Sequence, residues 1–212
     1  MKLKGFIFDL DGTLLNTLPV CYTGFRKTFQ KYIGREYSDN EIASLFGPSE
    51  EGILKQLLPD TWPVALRYYL GKYEKAHGES TSFPGINQAL QLLIDKKVRL
   101  AIVSGKGPGS MDISLRRSGL KDYFEIVIAG SEHGATKPSH ILQVLQEWGY
   151  SPETVAYVGD TAYDIQAAKE VGVLSIAALW AATADVSKVK LQEPDDFFED
   201  IPAFTRWIRD NI

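Results

Sequence analysis

Cysteine is nearly absent from this chain: Cys21 is the only one in 212 residues. No disulfide can close within it, and such usage fits a reducing, cytoplasmic compartment. Long apolar runs are missing as well. The first run, from Gly5 to Leu10, is far too short to span a bilayer and ends in acid. No later segment reaches that length, so neither a signal peptide nor a membrane association is expected. There is no excess of basic residues: 23 Lys and Arg stand against 27 Asp and Glu, a net charge of −4. That balance argues against a nucleic-acid binder. Histidine is scarce, and His77, His133 and His140 do not fall at metal-ligand spacing. They read as surface or packing residues. Repeats and low-complexity tracts are also absent. What remains is 44% hydrophobic, enough for a real core and against disorder. The length fits one domain, or a core domain carrying a smaller inserted one.

Five apolar, partly β-branched runs read as buried strands: 5–10, 98–104, 125–129, 154–159 and 173–178. They do not alternate with polar residues, which suits strands covered on both faces in a parallel sheet. Helical stripes separate the later ones. Ile86, Leu90, Leu93 and Ile94 form one over 86–97. Ile141, Val144, Leu145 and Trp148 form another over 139–148, stopped by Gly149. A third runs over 161–171 and stops at Gly172. Strand alternating with helix implies an α/β fold with a doubly wound, Rossmann-like parallel sheet.

The first crossover is too long for that pattern. Leu18, Cys21, Phe25, Phe29 and Ile33 make a helical stripe, and Ser38 with Glu41 fits a capping box. A short helix follows over 50–58, and Pro63 suits the first turn of another that runs to about His77. Residues 17–82 therefore read as a small all-helical cap domain inserted after strand one. Residues 1–16 and 83–212 then form the catalytic core. Phe83-Pro84-Gly85 is the return joint. Ligands of open α/β sheets sit outside the carboxyl ends of the strands, so the insertion is placed as a lid. It is expected to move as a unit about hinges near Thr17 and residues 83–85.

Four polar groups mark strand ends or the turns after them: Asp9 with Asp11, Ser104, Lys137, and Asp160 with Asp164. Clustered carboxylates repel one another, and a hard divalent cation such as Mg²⁺ relieves that. Asp9 and Asp160 are its expected direct ligands. A metal, a lysine and a hydroxyl together make a seat for a phosphoryl group. Asp9 can then attack phosphorus to give an aspartyl-phosphate. Asp11 can protonate the leaving oxygen and later accept a proton from water, provided the chain turns near Gly12.

In order along the chain, Asp9-Leu10-Asp11-Gly12-Thr13-Leu14, Ser104, Lys137-Pro138 and Gly159-Asp160 with Asp164 resemble the four motifs of the haloacid dehalogenase superfamily. The likeness includes the helical insertion. It is strongest to the capped subgroup of phosphoglycolate phosphatase, pyrophosphatase and β-phosphoglucomutase. The resemblance implies Asp9 as nucleophile and Asp11 as acid/base. It implies Mg²⁺ on Asp9, Asp160 and the Asp11 backbone carbonyl, and phosphate contacts from Ser104, Gly105, Lys137, Gly12 and Thr13. Asp164 would act on the metal through water or by orienting Lys137. The second aspartate favours phosphoryl transfer over dehalogenation. Three positions depart from the pattern. Asn16-Thr17 replaces Asp-Ser, Ser139-His140 follows Lys137-Pro138 with Ser139 able to act as an N-cap, and Ala181 follows Trp180 in place of glycine.

The cap is less determined. Glu50 and Glu51 stand either as substrate-facing groups or as favourable charges at a helix start. Lys106 either contacts substrate or sits in a loop. Arg26, Lys27 and Arg67 read as a solvated face, and Trp62, Tyr68, Tyr69 and Tyr73 as cap core. The expected activity is Mg²⁺-dependent hydrolysis of a small phosphorylated metabolite resembling phosphoglycolate, by a monomer or weak homodimer. The alternatives are a phosphosugar mutase, an inorganic pyrophosphatase, and a non-catalytic binding protein on the same fold.

Overall fold

Phe6 and Phe8 pack into one hydrophobic layer and Ile7 into another, and all three are fully buried. Side chains alternate along a strand, so an unbroken apolar run needs cover on both faces. The computed structural model describes residues 2–78 and 81–212. Residues 79 and 80 of the expected insertion, and residue 1, lie outside the described residues.

Six strands form one parallel sheet: β1 (Gly5–Phe8), β2 (Arg99–Val103), β3 (Ile126–Ile128), β4 (Val155–Gly159), β5 (Leu174–Ala178) and β6 (Asp196–Phe198). Their order is β3-β2-β1-β4-β5-β6. β1 pairs with β2 on one side and β4 on the other, so the winding reverses beside β1. Adjacent crossovers leave that point in opposite directions and open a crevice at the carboxyl ends of β1 and β4.

Helices α1 (Leu18–Tyr32), α2 (Asp39–Ala43), α3 (Glu50–Leu57) and α4 (Trp62–Ala76) follow β1. Then come α5 (Ile86–Asp95), α6 (Pro108–Ser118), α7 (Lys137–Trp148), α8 (Ala162–Val171), α9 (Val186–Lys190) and α10 (Ile201–Asn211). Helices α5 and α10 cover the Phe6/Phe8 face, and α7 and α8 cover the other. Helices α1–α4 enclose their own core around Phe25, Phe29, Leu54, Tyr69 and Tyr73. Ile113 of α6 joins that core, while Met111 and Leu115 of the same helix join the sheet core. Trp62 and Tyr68 are only half-buried: Lys55 stands over the first ring, Lys31 and Lys72 over the second.

Several expectations need correction. The sheet has a sixth strand, β6, only three residues long and set among acids and a proline, which gave no apolar run to read. Helix α6 opens on Gly107-Pro108-Gly109, which reads as loop, and its two apolar faces break any single stripe. Helix α10 was not expected either, although Ile201, Phe204 and Ile208 are buried on one stripe. Helix α7 begins at Lys137, two residues earlier than expected. Ser139 is not its N-cap, because its hydroxyl donates back to the Thr136 carbonyl at 2.8 Å. Ile94 and Ile33 end their helical stripes partly exposed.

Candidate active site

β1 ends at Phe8, so Asp9 is the first residue past the sheet. Its Oδ1 accepts from the Leu10 amide at 2.8 Å and its Oδ2 from Lys137 Nζ at 2.9 Å. The chain then folds back: the Gly12 amide donates to the Leu15 carbonyl at 2.8 Å, and the Leu14 and Leu15 amides both return to Leu10. Gly12 sits at φ +80°, and a Cβ there would stand 2.2 Å from Asp160 Oδ2. Only glycine fits both the backbone and that gap. Thr13 donates to Asp160 Oδ1 at 3.1 Å, and Trp180 Nε1 holds the Thr13 carbonyl at 2.9 Å.

Asp160 follows β4, and Asp164 lies in the first turn of α8. Carboxylate oxygens of Asp9, Asp160 and Asp164 all lie within 4.8 Å of one another, and all three groups are buried. Asp164 is fully engaged: one oxygen accepts from Lys137 Nζ, the other from the Thr161 amide and hydroxyl. The Tyr157 hydroxyl lies 3.0 Å from Asp164 Oδ1 and 2.9 Å from the Val103 carbonyl, so its one proton is divided between them. Asp164 therefore contacts Lys137 directly.

Burial pushes the Asp9 carboxyl above its usual range; Lys137 opposes this and the Asp164 charge adds to it. Asp160 is pushed much further, by burial and then by the charges of Asp164 and Asp9. Burial also works against the Asp164 carboxylate, but Lys137 and Thr161 outweigh it and hold the group low. Lys137 is held well above the ordinary lysine range, since Asp164 and Asp9 overcome the burial that would neutralise it. Burial and the charges of Asp164 and Asp9 thus all work against the Asp160 carboxylate, beside the gap that Gly12 leaves. An all-oxygen donor set in which the buried Asp160 has no cationic partner among the described residues fits a hard divalent cation.

Asp11 belongs to a second cluster. Its carboxylate accepts from the Thr17 hydroxyl and from Lys106 Nζ, 3.2 Å from each oxygen. The fully buried Lys106 ammonium also lies 3.4 Å from Cys21 Sγ, 3.8 Å from Glu50 Oε1 and 4.4 Å from the Tyr73 ring centroid. Asp11 therefore does not bring its side chain to the acidic trio. Of the two cap glutamates, Glu50 is buried, with the Gly107 amide and the Ser110 hydroxyl donating to it. Glu51 leaves one buried oxygen without a partner.

A cavity of about 550 Å³ lies over these groups. Asp9, Asp11, Ser104, Gly105, Lys106, Lys137 and Asp160 line it from the core, and Glu50 from the cap. Gly12 and Thr13, expected on phosphate, lie outside its lining, and the Thr13 hydroxyl is turned to Asp160. Tyr157, Thr17 and Trp180 hold site residues in place; in the sequence, Thr17 reads only as a hinge, and Tyr157 and Trp180 have no part in the site. Tyr157 is indistinguishable there from a core aromatic. Lys106 had one signal, a charge two residues after Ser104.

The family described as haloacid dehalogenase-like hydrolase matches residues 6–178. A phosphoglycolate phosphatase of Aquifex aeolicus is 30% identical over 200 residues, covering 91% of each chain. Pyrophosphatase PpaX of Listeria monocytogenes is 27% identical over 214 residues, covering 99% of this chain and 98% of its own. The crystal structure of a predicted phosphoglycolate phosphatase from Haemophilus somnus superposes with a TM-score of 0.78 over 98% of both chains, at 20% identity, which supports the fold. With a parallel sheet of the same architecture and its acidic trio at the carboxyl ends of β1 and β4, this chain belongs to the haloacid dehalogenase-like hydrolases.

Proposed function

We infer that the chain is a phosphatase that hydrolyses a small phosphate monoester through an aspartyl-phosphate on Asp9. The observation that carries this reading is the placement of Asp9 between Lys137 and Asp160 on the floor of a cavity. Asp9 and Asp160 would hold Mg²⁺ together with the Asp11 carbonyl. The ion would supply positive charge against the phosphoryl oxygens and so lessen their repulsion of Asp9.

The chain's own groups do the rest. Asp9 Oδ attacks phosphorus, and the bond to the leaving oxygen breaks. Lys137, steered by Asp164, keeps an ammonium beside the phosphoryl oxygens, and Ser104 offers a hydroxyl from the end of β2. Asp11 lines the same cavity and delivers the proton to the departing oxygen. It then takes a proton from the water that cleaves the acyl phosphate, which regenerates Asp9. Residues 17–82 serve as a lid that controls water entry, and the cap–core linkers pair side by side, with Asn16 N donating to the Thr81 carbonyl at 2.7 Å.

Free phosphate released from a panel of phosphate esters, sugar phosphates and pyrophosphate tests this. Asp9→Asn should lower kcat by about a thousandfold or more, since it removes the nucleophile. An unchanged rate in that variant would sink the mechanism. Release that requires a bisphosphate primer would favour the mutase instead.

A further inference from the structure

The cavity over Asp9 has two walls of different chemistry. The core wall carries the aspartates and both lysines. The cap wall is apolar, built from Leu18, Phe25, Ala43, Phe46, Pro48 and Ile53. Among the described residues, Glu50 is the one charged side chain that the cap adds to the lining. The cap's cations are placed elsewhere. Arg26 pairs with Asp39, Lys55 pairs with Glu132, Lys31 and Lys72 lie over Tyr68, and Arg67 is exposed.

The charges of the lining are also committed. Among the described residues, Asp9, Asp11, Glu50 and Asp160 face two ammonium groups. Lys137 is held between Asp9 and Asp164, and Lys106 lies between Asp11 and Glu50. Lys137 therefore serves the phosphoryl end. A carboxylate or second phosphate on the leaving group would meet an apolar wall and a glutamate, and a buried anion without a partner is strongly disfavoured. An uncharged group meets the opposite situation. Phe46, 40% exposed overall, is part of that wall, with the Phe25 and Phe46 ring centroids 6.3 Å apart. The volume of about 550 Å³ is in the range of small-molecule sites and exceeds what a two-carbon acid would occupy.

We propose that the substrate is the phosphate ester of an uncharged, largely apolar alcohol or phenol, seated against Phe25, Phe46 and Ile53, and that the cap wall rejects a second anionic group. This rests on the phosphatase reading above and narrows its substrate class. Relatives bear the names of phosphoglycolate and pyrophosphate enzymes, so the proposal sets this chain apart from both.

The test compares phenyl phosphate with 3-carboxyphenyl phosphate, whose leaving groups are alike in size and acidity, with phosphoglycolate and pyrophosphate in the same Mg²⁺ assay. The kcat/KM for phenyl phosphate should exceed that for the carboxylated ester at least tenfold. Phe46→Arg should narrow the ratio at least fivefold by raising turnover of the carboxylated ester. Equal rates, a preference for the carboxylate, or an unchanged ratio in Phe46→Arg overturns the proposal. So does hydrolysis of phosphoglycolate or pyrophosphate without hydrolysis of phenyl phosphate. Each of those outcomes except hydrolysis of pyrophosphate alone leaves the phosphatase reading standing, whereas hydrolysis of pyrophosphate alone, or no phosphate release from any of the four compounds, overturns that reading itself.

Discussion

Cys21 shows how much a residue's surroundings govern its chemistry. Burial pushes its thiol up to about 12, and the neighbouring Lys106 ammonium only partly opposes this. The folded chain therefore keeps the thiol protonated over a range in which the unfolded chain ionises it. Its contribution to stability is complete below the unfolded value of 9.0 and is lost as pH rises from there towards 12. Urea unfolding of the native chain and of Cys21→Ala should show this. The advantage of the native chain should shrink by about 1.4 kcal/mol between pH 8 and pH 10, one proton's worth over the unit above the unfolded value. A constant gap would contradict the assignment. The convergence of Asp9 and Asp160 was legible because acids at the end of an apolar run have few structural uses. The pairing of Asp11 with Lys106 was not, because 95 residues separate them and the contact exists only once β1 and β2 lie side by side.

At the scale of elements, α3 and α6 are coupled. The amino end of α6 has no side-chain cap of its own, and the Glu50 carboxylate of α3 accepts from Gly107 there. The unsatisfied amides and the helix dipole both favour an anion at that position. Glu50→Ala should cost about 1.5–3 kcal/mol, the range for hydrogen bonds to charged groups, as read by urea unfolding. Proteolysis at the linkers beside residues 16 and 81 should speed up in the same variant, because the cap loses a tie to the core. Equal linker cleavage rates would show that α3 does not hold the cap down. Helix α3 was legible from its first-turn acids, and α2 from its capping box, with Ser38 and Glu41 bonded as expected. Helix α6 was hidden because it serves two cores at once. Ile113 faces the cap while Met111 and Leu115 face the sheet, and such a division defeats a one-stripe pattern.

For the whole molecule, the reversal of strand order beside β1 gathers the site. Asp9 and Asp160 are 151 positions apart in sequence, and their carboxylates meet because β1 and β4 are parallel neighbours. Three buried carboxylates with one lysine between two of them make the native state sensitive to added cations. Mg²⁺ at a hundred times its dissociation constant should stabilise the fold by about 2.7 kcal/mol, seen as a rise in Tm. Asp160→Asn should abolish most of that rise while leaving the metal-free Tm equal or higher, since it removes the carboxylate that burial most disfavours. A full Mg²⁺ response in this variant would place the ion elsewhere.

The order of the first five strands, the helical insertion and the identity of the acids follow from local chemistry: apolar runs without alternation, capping residues, and acids at strand ends. These depend on neighbours along the chain and survive without a tertiary structure. Which carboxylate meets which ammonium depends on strand order and on the seating of the cap. So does the sharing of Tyr157 between Val103 and Asp164, and so does the apolar character of the wall facing Asp9. Those contacts join residues tens of positions apart, and burial sets their strength, so they come into being only when the sheet and the cap close on each other.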